Sequence, residues 1–139
     1  MNESRMSVFS RALDVAMGIS QEDPAELFAD DVRGWSPAVT VSSLAELRDV
    51  LKDRDEALSN VTVTITGCNA GGNKVVAEWR LDADHTGPLE VNEELTVDAT
   101  GRHIHFGGAT FAEFRGDKIH AFRSYFDDFA LLEQLLADD

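Results

Sequence analysis

From Gly101 to Leu136 the chain alternates apolar and polar residues along two long segments around Arg115-Gly116-Asp117, then runs into a short leucine-rich stretch. Period-two alternation on both sides of a tight turn constrains the fold more than any other feature, because a strand shows successive side chains to opposite faces. In the first segment Ile104, Phe106, Gly108, Thr110, Ala112 and Phe114 share one face, while His103, His105 and Glu113 share the other. In the second, Phe122, Ser124 and Phe126 lie opposite Arg123 and Tyr125. The spacing predicts a hairpin whose loop, Arg115 to Asp117, is a type I turn closed by a glycine bulge. That register sets Phe114 opposite Lys118, Thr110 opposite Phe122 and Gly108 opposite Ser124, with both apolar faces inward. Asp127 stands where an N-cap belongs, and Phe129, Leu132 and Leu136 follow at helical spacing, which predicts a helix over the open edge of a curved sheet.

The preceding residues change period twice. Met6, Phe9, Leu13, Ala16 and Met17 form one helical stripe that Gly18 ends. Asp23-Pro24-Ala25-Glu26 reads as a compact helix start, with a capping acid before proline, and predicts a short helix to about Ala29. Val32 to Val39, with Trp35, reads as a short strand and turn. Ser43-Leu44-Ala45-Glu46 is a capping box for a third helix with Leu44, Leu47, Leu51 and Leu58 along its stripe. From Val61 the period becomes two: Val61, Val63 and Ile65 alternate with threonines, Gly71-Gly72-Asn73 turns, and Val75, Ala77, Trp79 and Leu81 alternate with polar neighbours. His85 to Thr100 is interrupted by Gly87-Pro88 and several acids and reads as an irregular strand or excursion. The whole is an α+β cone, three N-terminal helices packed on a strongly curved antiparallel sheet with a short C-terminal helix, in one domain spanning 1–139.

Composition narrows the partners. Lys and Arg total 12 against 26 Asp and Glu, a formal charge of -14, and such a surface repels nucleic-acid phosphates and anionic lipid. No nucleic-acid or membrane partner is therefore expected. One cysteine, Cys68, excludes an internal disulfide or a cysteine-rich zinc site and suits a reducing compartment. No basic region with an apolar run opens the sequence at Met1-Asn2-Glu3-Ser4-Arg5, and no segment reaches the ~20 apolar residues of a membrane span. A cytoplasmic protein is expected, with no cofactor.

The order of elements, together with Trp79, His85-Thr86-Gly87-Pro88-Leu89, Thr100-Gly101-Arg102, Lys118-Ile119, Tyr125-Phe126-Asp127 and Leu131-Leu132-Glu133-Gln134-Leu135, resembles the NTF2-like superfamily, specifically its SnoaL-like polyketide-cyclase branch. The resemblance covers most of the chain and implies the cone. It implies no single activity, since the fold hosts cyclases, isomerases, epoxide hydrolases, dehydratases and binding proteins. In SnoaL-like cyclases a histidine on the penultimate strand and an aspartate on the last face each other for proton transfer. Aligned on those positions, this chain has Thr110 and Ser124, hydroxyls that do not titrate near neutrality. Ser124 also replaces the last-strand aspartate of limonene-type epoxide hydrolases, whose Arg-x-Asp pair is mimicked by Arg80-Leu81-Asp82. Because Arg80 and Asp82 alternate with Trp79 and Leu81, the pair is read as a surface ion pair.

Other polar residues carry competing readings. His85 shares parity with Trp79 and Leu81, which sets it at a pocket rim as a candidate base, against a purely structural histidine. Asp127 is read as a cap rather than a catalytic acid. His103 and His105 share a strand face, but no third ligand completes a metal site. Trp35, Trp79, Phe106, Phe122 and Phe126 are predicted inward, with Thr110, Ser124 and His85 as the few polar groups, and Gly108 omits a side chain from mid-wall. This composition suits a small hydrophobic ligand.

Three functions follow. The first is a SnoaL-like pocket protein for a small hydrophobic metabolite, with isomerase- or cyclase-type chemistry. The second is a non-catalytic dimeric module, since superfamily members commonly form homodimers through the outer sheet face, here offering Thr62, Thr64, Thr66, Arg80, Arg123 and Tyr125. The third is an epoxide hydrolase using Arg80 and Asp82.

Overall fold

The computed structural model describes residues 4–137. Helix α1 (Arg5–Ala16) begins where the Ser4 hydroxyl accepts from the Ser7 amide, and it buries Val8, Phe9, Ala12, Leu13 and Val15. Asp23 caps only a single 3-10 turn (Pro24–Glu26), and strand β1 (Phe28–Trp35) follows at once. The predicted helix to Ala29 is thus replaced by a strand. Its cause is competition for the backbone: the Ile119 amide donates to the Leu27 carbonyl (2.9 Å), which begins pairing with the C-terminal strand and fully buries Leu27.

After β2 (Thr40–Val41), helix α2 (Leu44–Ala57) opens on the expected box, the Ser43 hydroxyl accepting from the Glu46 amide and the Glu46 carboxylate from the Ser42 amide. Leu58, predicted on this helix's stripe, instead starts β3 (Leu58–Gly71), which pairs with β4 (Lys74–His85). The Ala57 carbonyl accepts from the Thr86 and Gly87 amides, both at 3.0 Å, and so ties the end of β4 to the end of α2. The interrupted stretch after His85 is a small separate hairpin, β5 (Leu89–Asn92) with β6 (Leu95–Val97).

Strands β7 (His103–Arg115) and β8 (Lys118–Phe126) complete a six-stranded sheet of order β2-β1-β8-β7-β4-β3, antiparallel except for the β1–β8 pair. The predicted hairpin register needs correction. Arg115 pairs with Lys118, so the turn is Gly116-Asp117, with Gly116 at φ +63°. A bulge then places His120 between the Phe114–Ile119 and Glu113–Ala121 pairs. Ala112 therefore opposes Phe122, Thr110 opposes Ser124 and Gly108 opposes Phe126. The extra residue also changes the parity of β8, so that Ile119 before the bulge and Phe122, Ser124 and Phe126 beyond it all face inward.

Helix α3 (Asp128–Leu136) is capped by Asp127, whose carboxylate accepts from the Ala130 amide (2.9 Å). Its buried residues are Leu131 and Leu135, whereas the expected contacts Phe129 and Leu136 are exposed. Gln134 explains that rotation. Its side-chain amide donates to the His105 carbonyl (2.7 Å) and accepts from the His105 amide (2.9 Å), acting as a strand partner for β7 beyond the end of β8. Among the described residues no helix is long and apolar enough to cross a membrane.

Two buried clusters hold these elements together. One joins α1, β1 and the turn end of the hairpin through Phe9, Leu27, Val32, Phe114 and Ile119; the other joins α3, β4 and β5 through Trp79, Leu81, Val91, Ile104 and Leu131. Gly108 serves the second, because a Cβ there would lie 2.4 Å from the Tyr125 carbonyl oxygen and 2.6 Å from the Trp79 ring. The space expected at Gly108 is therefore occupied by the indole of Trp79. Gly108→Ala should destabilise the fold by about 3 kcal/mol, the upper end of overpacking costs, because a backbone oxygen cannot rotate aside. Urea unfolding checks this, and an unchanged midpoint would contradict the packing.

Candidate functional site

Between the two clusters the sheet and helices enclose a cavity lined by members of both. The centre of a water-sized sphere can occupy about 100 Å³ of it, several times the ~10–15 Å³ that one water needs. Trp79, Phe106, Thr110, Phe122, Ser124 and Phe126 all line it, as their inward parity predicts. Trp35 does not. In β1 it is Val32 and Gly34 that are buried, so Trp35 points out at 39% exposure and packs on Tyr125, ring centroids 5.1 Å apart. Phe122 takes the inward space beside Gly34, where a Cβ would lie 2.1 Å from its ring.

The hydroxyls that the corrected register brings together form a hydrogen-bonded chain with an indole. The Trp79 Nε1–H donates to Thr110 Oγ1 (2.9 Å), and Thr110 Oγ1 is 2.9 Å from Ser124 Oγ. An indole nitrogen only donates, so Thr110 must accept from it. The Thr110 oxygen has a second lone pair and its own hydrogen, so its bond to Ser124 can run in either direction. Either way one hydroxyl hydrogen of the pair is not used within it, and both residues line the cavity. Such a site can polarise a carbonyl; it cannot abstract a proton.

Three polar lining residues escaped the sequence reading. Ser36 is buried and bonded to its own turn, its hydroxyl donating to the Val39 carbonyl and accepting from the Val39 amide. Glu90, on β5, is the lining carboxylate. Arg54 reaches the cavity from α2 with one Nη1–H donating to the Ala16 carbonyl (3.1 Å) at the end of α1. Burial lowers its pKa from the ordinary arginine value. Arg54 follows Leu47 and Leu51 at helical spacing, and a cation in that slot was the available signal.

His85 is fully buried rather than at a rim, and it is not among the residues lining the cavity. Its Nδ1 accepts from the Thr100 amide (3.1 Å) and lies 2.9 Å from the Thr100 hydroxyl. That acceptor role assigns the neutral-ring proton to Nε2, which has no hydrogen-bond partner among the described residues. Arg80 and Asp82 lie outside the cavity lining, 3.8 Å apart and partly exposed, which matches the surface pair expected of them.

With this geometry the relatives become informative. The family model of the SnoaL-like polyketide cyclases matches residues 11–135. No curated protein matches the chain. Solved structures superpose over nearly its whole length: a provisionally assigned SnoaL-like polyketide cyclase from Jannaschia sp. CCS1 (TM-score 0.84, 16% identity, 100% of this chain and 99% of that one) is one. IdmH, a provisionally assigned polyketide cyclase from Streptomyces antibioticus, is another (0.76, 15%, 96% and 99%). A third is a protein of ketosteroid isomerase-like fold from Catenulispora acidiphila, in complex with trimethylamine (0.71, 19%, 97% and 94%). Helices against a large curved sheet thus define an NTF2-like, ketosteroid isomerase-like fold. The chain belongs to the SnoaL-like polyketide cyclase family.

Among the described residues no group of three or more His, Cys, Asp or Glu side chains is arranged to hold a metal. His103 instead bonds Asp84 (Nδ1 to Oδ1, 3.0 Å) and approaches Asp82 (3.6 Å) on the outer sheet face. The hydrogen bond to Asp84 raises the His103 pKa above 6.5, and hydrogen bonds from Asn60 and then His103 hold Asp84 below 3.8. The histidine's contribution to stability is complete below its unfolded pKa and is lost as pH rises through its folded one; the aspartate's is present above its unfolded pKa and is lost as pH falls through its folded one. The pair therefore stabilises most between about pH 4 and 6.5. The stability difference between wild type and His103→Gln should shrink from about pH 5.5 to 8.5 in urea unfolding, and a constant difference would exclude the coupling.

Proposed function

We propose that the cavity binds a small hydrophobic metabolite and orients it through an oxygen acceptor on the Ser124 hydroxyl, as a cyclase- or isomerase-like member of its family would. The observation that carries this reading is the hydrogen-bonded group Trp79, Thr110 and Ser124 in an otherwise mostly apolar chamber, where the hydroxyl pair keeps one hydrogen unused between its members. A donor placed on a carbonyl oxygen stabilises the enolate formed when a neighbouring carbon loses its proton, the chemistry that ring closures and double-bond shifts share. Thr110 and Ser124 supply that half only, because neither is a base. The lining residues offer one carboxylate, Glu90, for the other half, while His85 and the Arg80/Asp82 pair lie outside the lining. The exposed free thiol of Cys68 fits a reducing, cytoplasmic setting.

A second feature supports a homodimer through the outer sheet face. Trp35, Tyr125 and Phe111 form a continuous exposed cluster there, with the Arg123 guanidinium 5.7 Å from the Phe111 ring centroid. Adjacent exposed aromatics on a sheet face are a common association surface.

Each reading has its own measurement. Binding of 4-phenyl-2-butanone, followed by quenching of tryptophan fluorescence, should weaken about fivefold in Ser124→Ala, the loss of one neutral hydrogen bond. It should vanish in Ser124→Leu while circular dichroism stays unchanged. Undiminished affinity in the leucine variant would reject the site. For the dimer, Tyr125→Glu should convert wild-type dimer to monomer in light scattering, and a monomeric wild type would end that proposal.

A further inference from the structure

Arg54 holds a position that the packing of α2 does not require. It sits on the apolar side of that helix and lines both the cavity and an adjoining outer groove, whose wall combines Val39, Val50 and Leu89 with the acids Asp53, Glu56 and Glu90, so Arg54 lies where the two meet. A guanidinium carries five N–H donors, and here one is used, on the Ala16 carbonyl. Among the described residues Arg54 forms no ion pair, although the chain holds 26 acids against 12 Lys and Arg. The acids that share this groove, Asp53, Glu56 and Glu90, make none with it, and Asp55 beside it on α2 acts on it only through its charge. Arg54 is half-buried, and desolvation lowers its pKa against the opposite pull of the neighbouring Asp55.

We propose that Arg54 anchors an anionic group of the ligand, so that the cavity takes small apolar acids with hydrocarbon within and a carboxylate at the mouth. The inference rests on the reading of the cavity as a ligand site. A carboxylate is the group best matched to the planar fork, which offers it two parallel N–H donors. Bound there, it would complete the hydrogen bonding that the protein leaves open, while Ser124 addresses a second oxygen deeper in the chamber. The net charge of -14 opposes anions at long range, where salt screens it beyond about 8 Å, and Asp53, Glu56 and Glu90 oppose them locally. The paired N–H donors of the guanidinium must outweigh those acids for a carboxylate to stay.

The test uses the matched probes 4-phenylbutanoate and 4-phenylbutanamide, which share their apolar part and differ in charge, titrated calorimetrically into the full chain. Wild type should bind the carboxylate at least tenfold more tightly than the amide. Arg54→Gln should abolish that preference by weakening the carboxylate alone. Since Arg54 also ties α2 to α1, Arg54→Lys provides a second variant that keeps the charge; it should retain part of the preference, and 0.5 M salt should reduce it further. Equal binding of both probes to wild type, or an undiminished preference in Arg54→Gln, would overturn the role of Arg54 while leaving the cavity a ligand site. Failure of wild type to bind either probe would overturn the ligand site and this inference with it.

Discussion

The register between β7 and β8 is the constraint on which the rest of this structure depends. A two-residue turn at Gly116-Asp117 and a bulge at His120 set Thr110 opposite Ser124. Because side-chain period in a strand is two, a one-residue slip without the bulge would turn Phe122, Ser124 and Phe126 to solvent together. Pairing of β1 with β8, docking of Phe122 beside Gly34 and closure of the hydroxyl chain all follow from the same alignment. The bulge is thus a structural device, with the extra residue spent on parity.

The cavity follows from that register and from how the helices are tied. Ends of helices are fixed by polar contacts: Arg54 to Ala16, Ala57 to the amides after β4, and Gln134 to the free stretch of β7. These bonds position α1, α2 and α3 without requiring side chains to fill the space between them. Two apolar clusters form at the ends, and the space between keeps a donor hydroxyl chain that a fully packed core would have no use for. A partly buried hydroxyl pair satisfied on all but one hydrogen is a specific arrangement, since each unmade hydrogen bond in an apolar setting has a cost.

Much of this was legible from local pattern. Alternation identified the long strands and six of the seven proposed pocket residues, and the Ser43 box and Asp127 cap predicted helix starts that the structure contains. What pattern could not supply were choices made by distant partners. Leu27 and Phe28 look helical after Asp23-Pro24 until β8 competes for their backbone. Trp35 looks buried because tryptophan is large and apolar, yet parity with Val32 turns it outward. Phe129 and Leu136 fit a helical stripe as well as Leu131 and Leu135 do, and only the Gln134 fork on His105 chooses between them. Arg54 was readable as a charge at an apolar slot, but its meaning depends on the cavity in front of it.

Thr110 and Ser124 limit what the chamber can offer. Where the resemblance implies a histidine and an aspartate for proton transfer, two hydroxyls can exchange hydrogen bonds with a ligand but do not take its proton near neutrality. Trp79 is central to this arrangement, because its N–H occupies one lone pair of Thr110 and anchors the hydroxyl pair to the wall. Its ring is in turn accommodated by the absence of a side chain at Gly108, so a packing detail on β7 positions the polar part of the site. On the proposed reading, a spare hydroxyl hydrogen inside and a guanidinium with open donors at the edge select electron-rich oxygen at both ends of an apolar body. Fold and family leave the chemistry of the ligand open; the placement of these few polar groups narrows it.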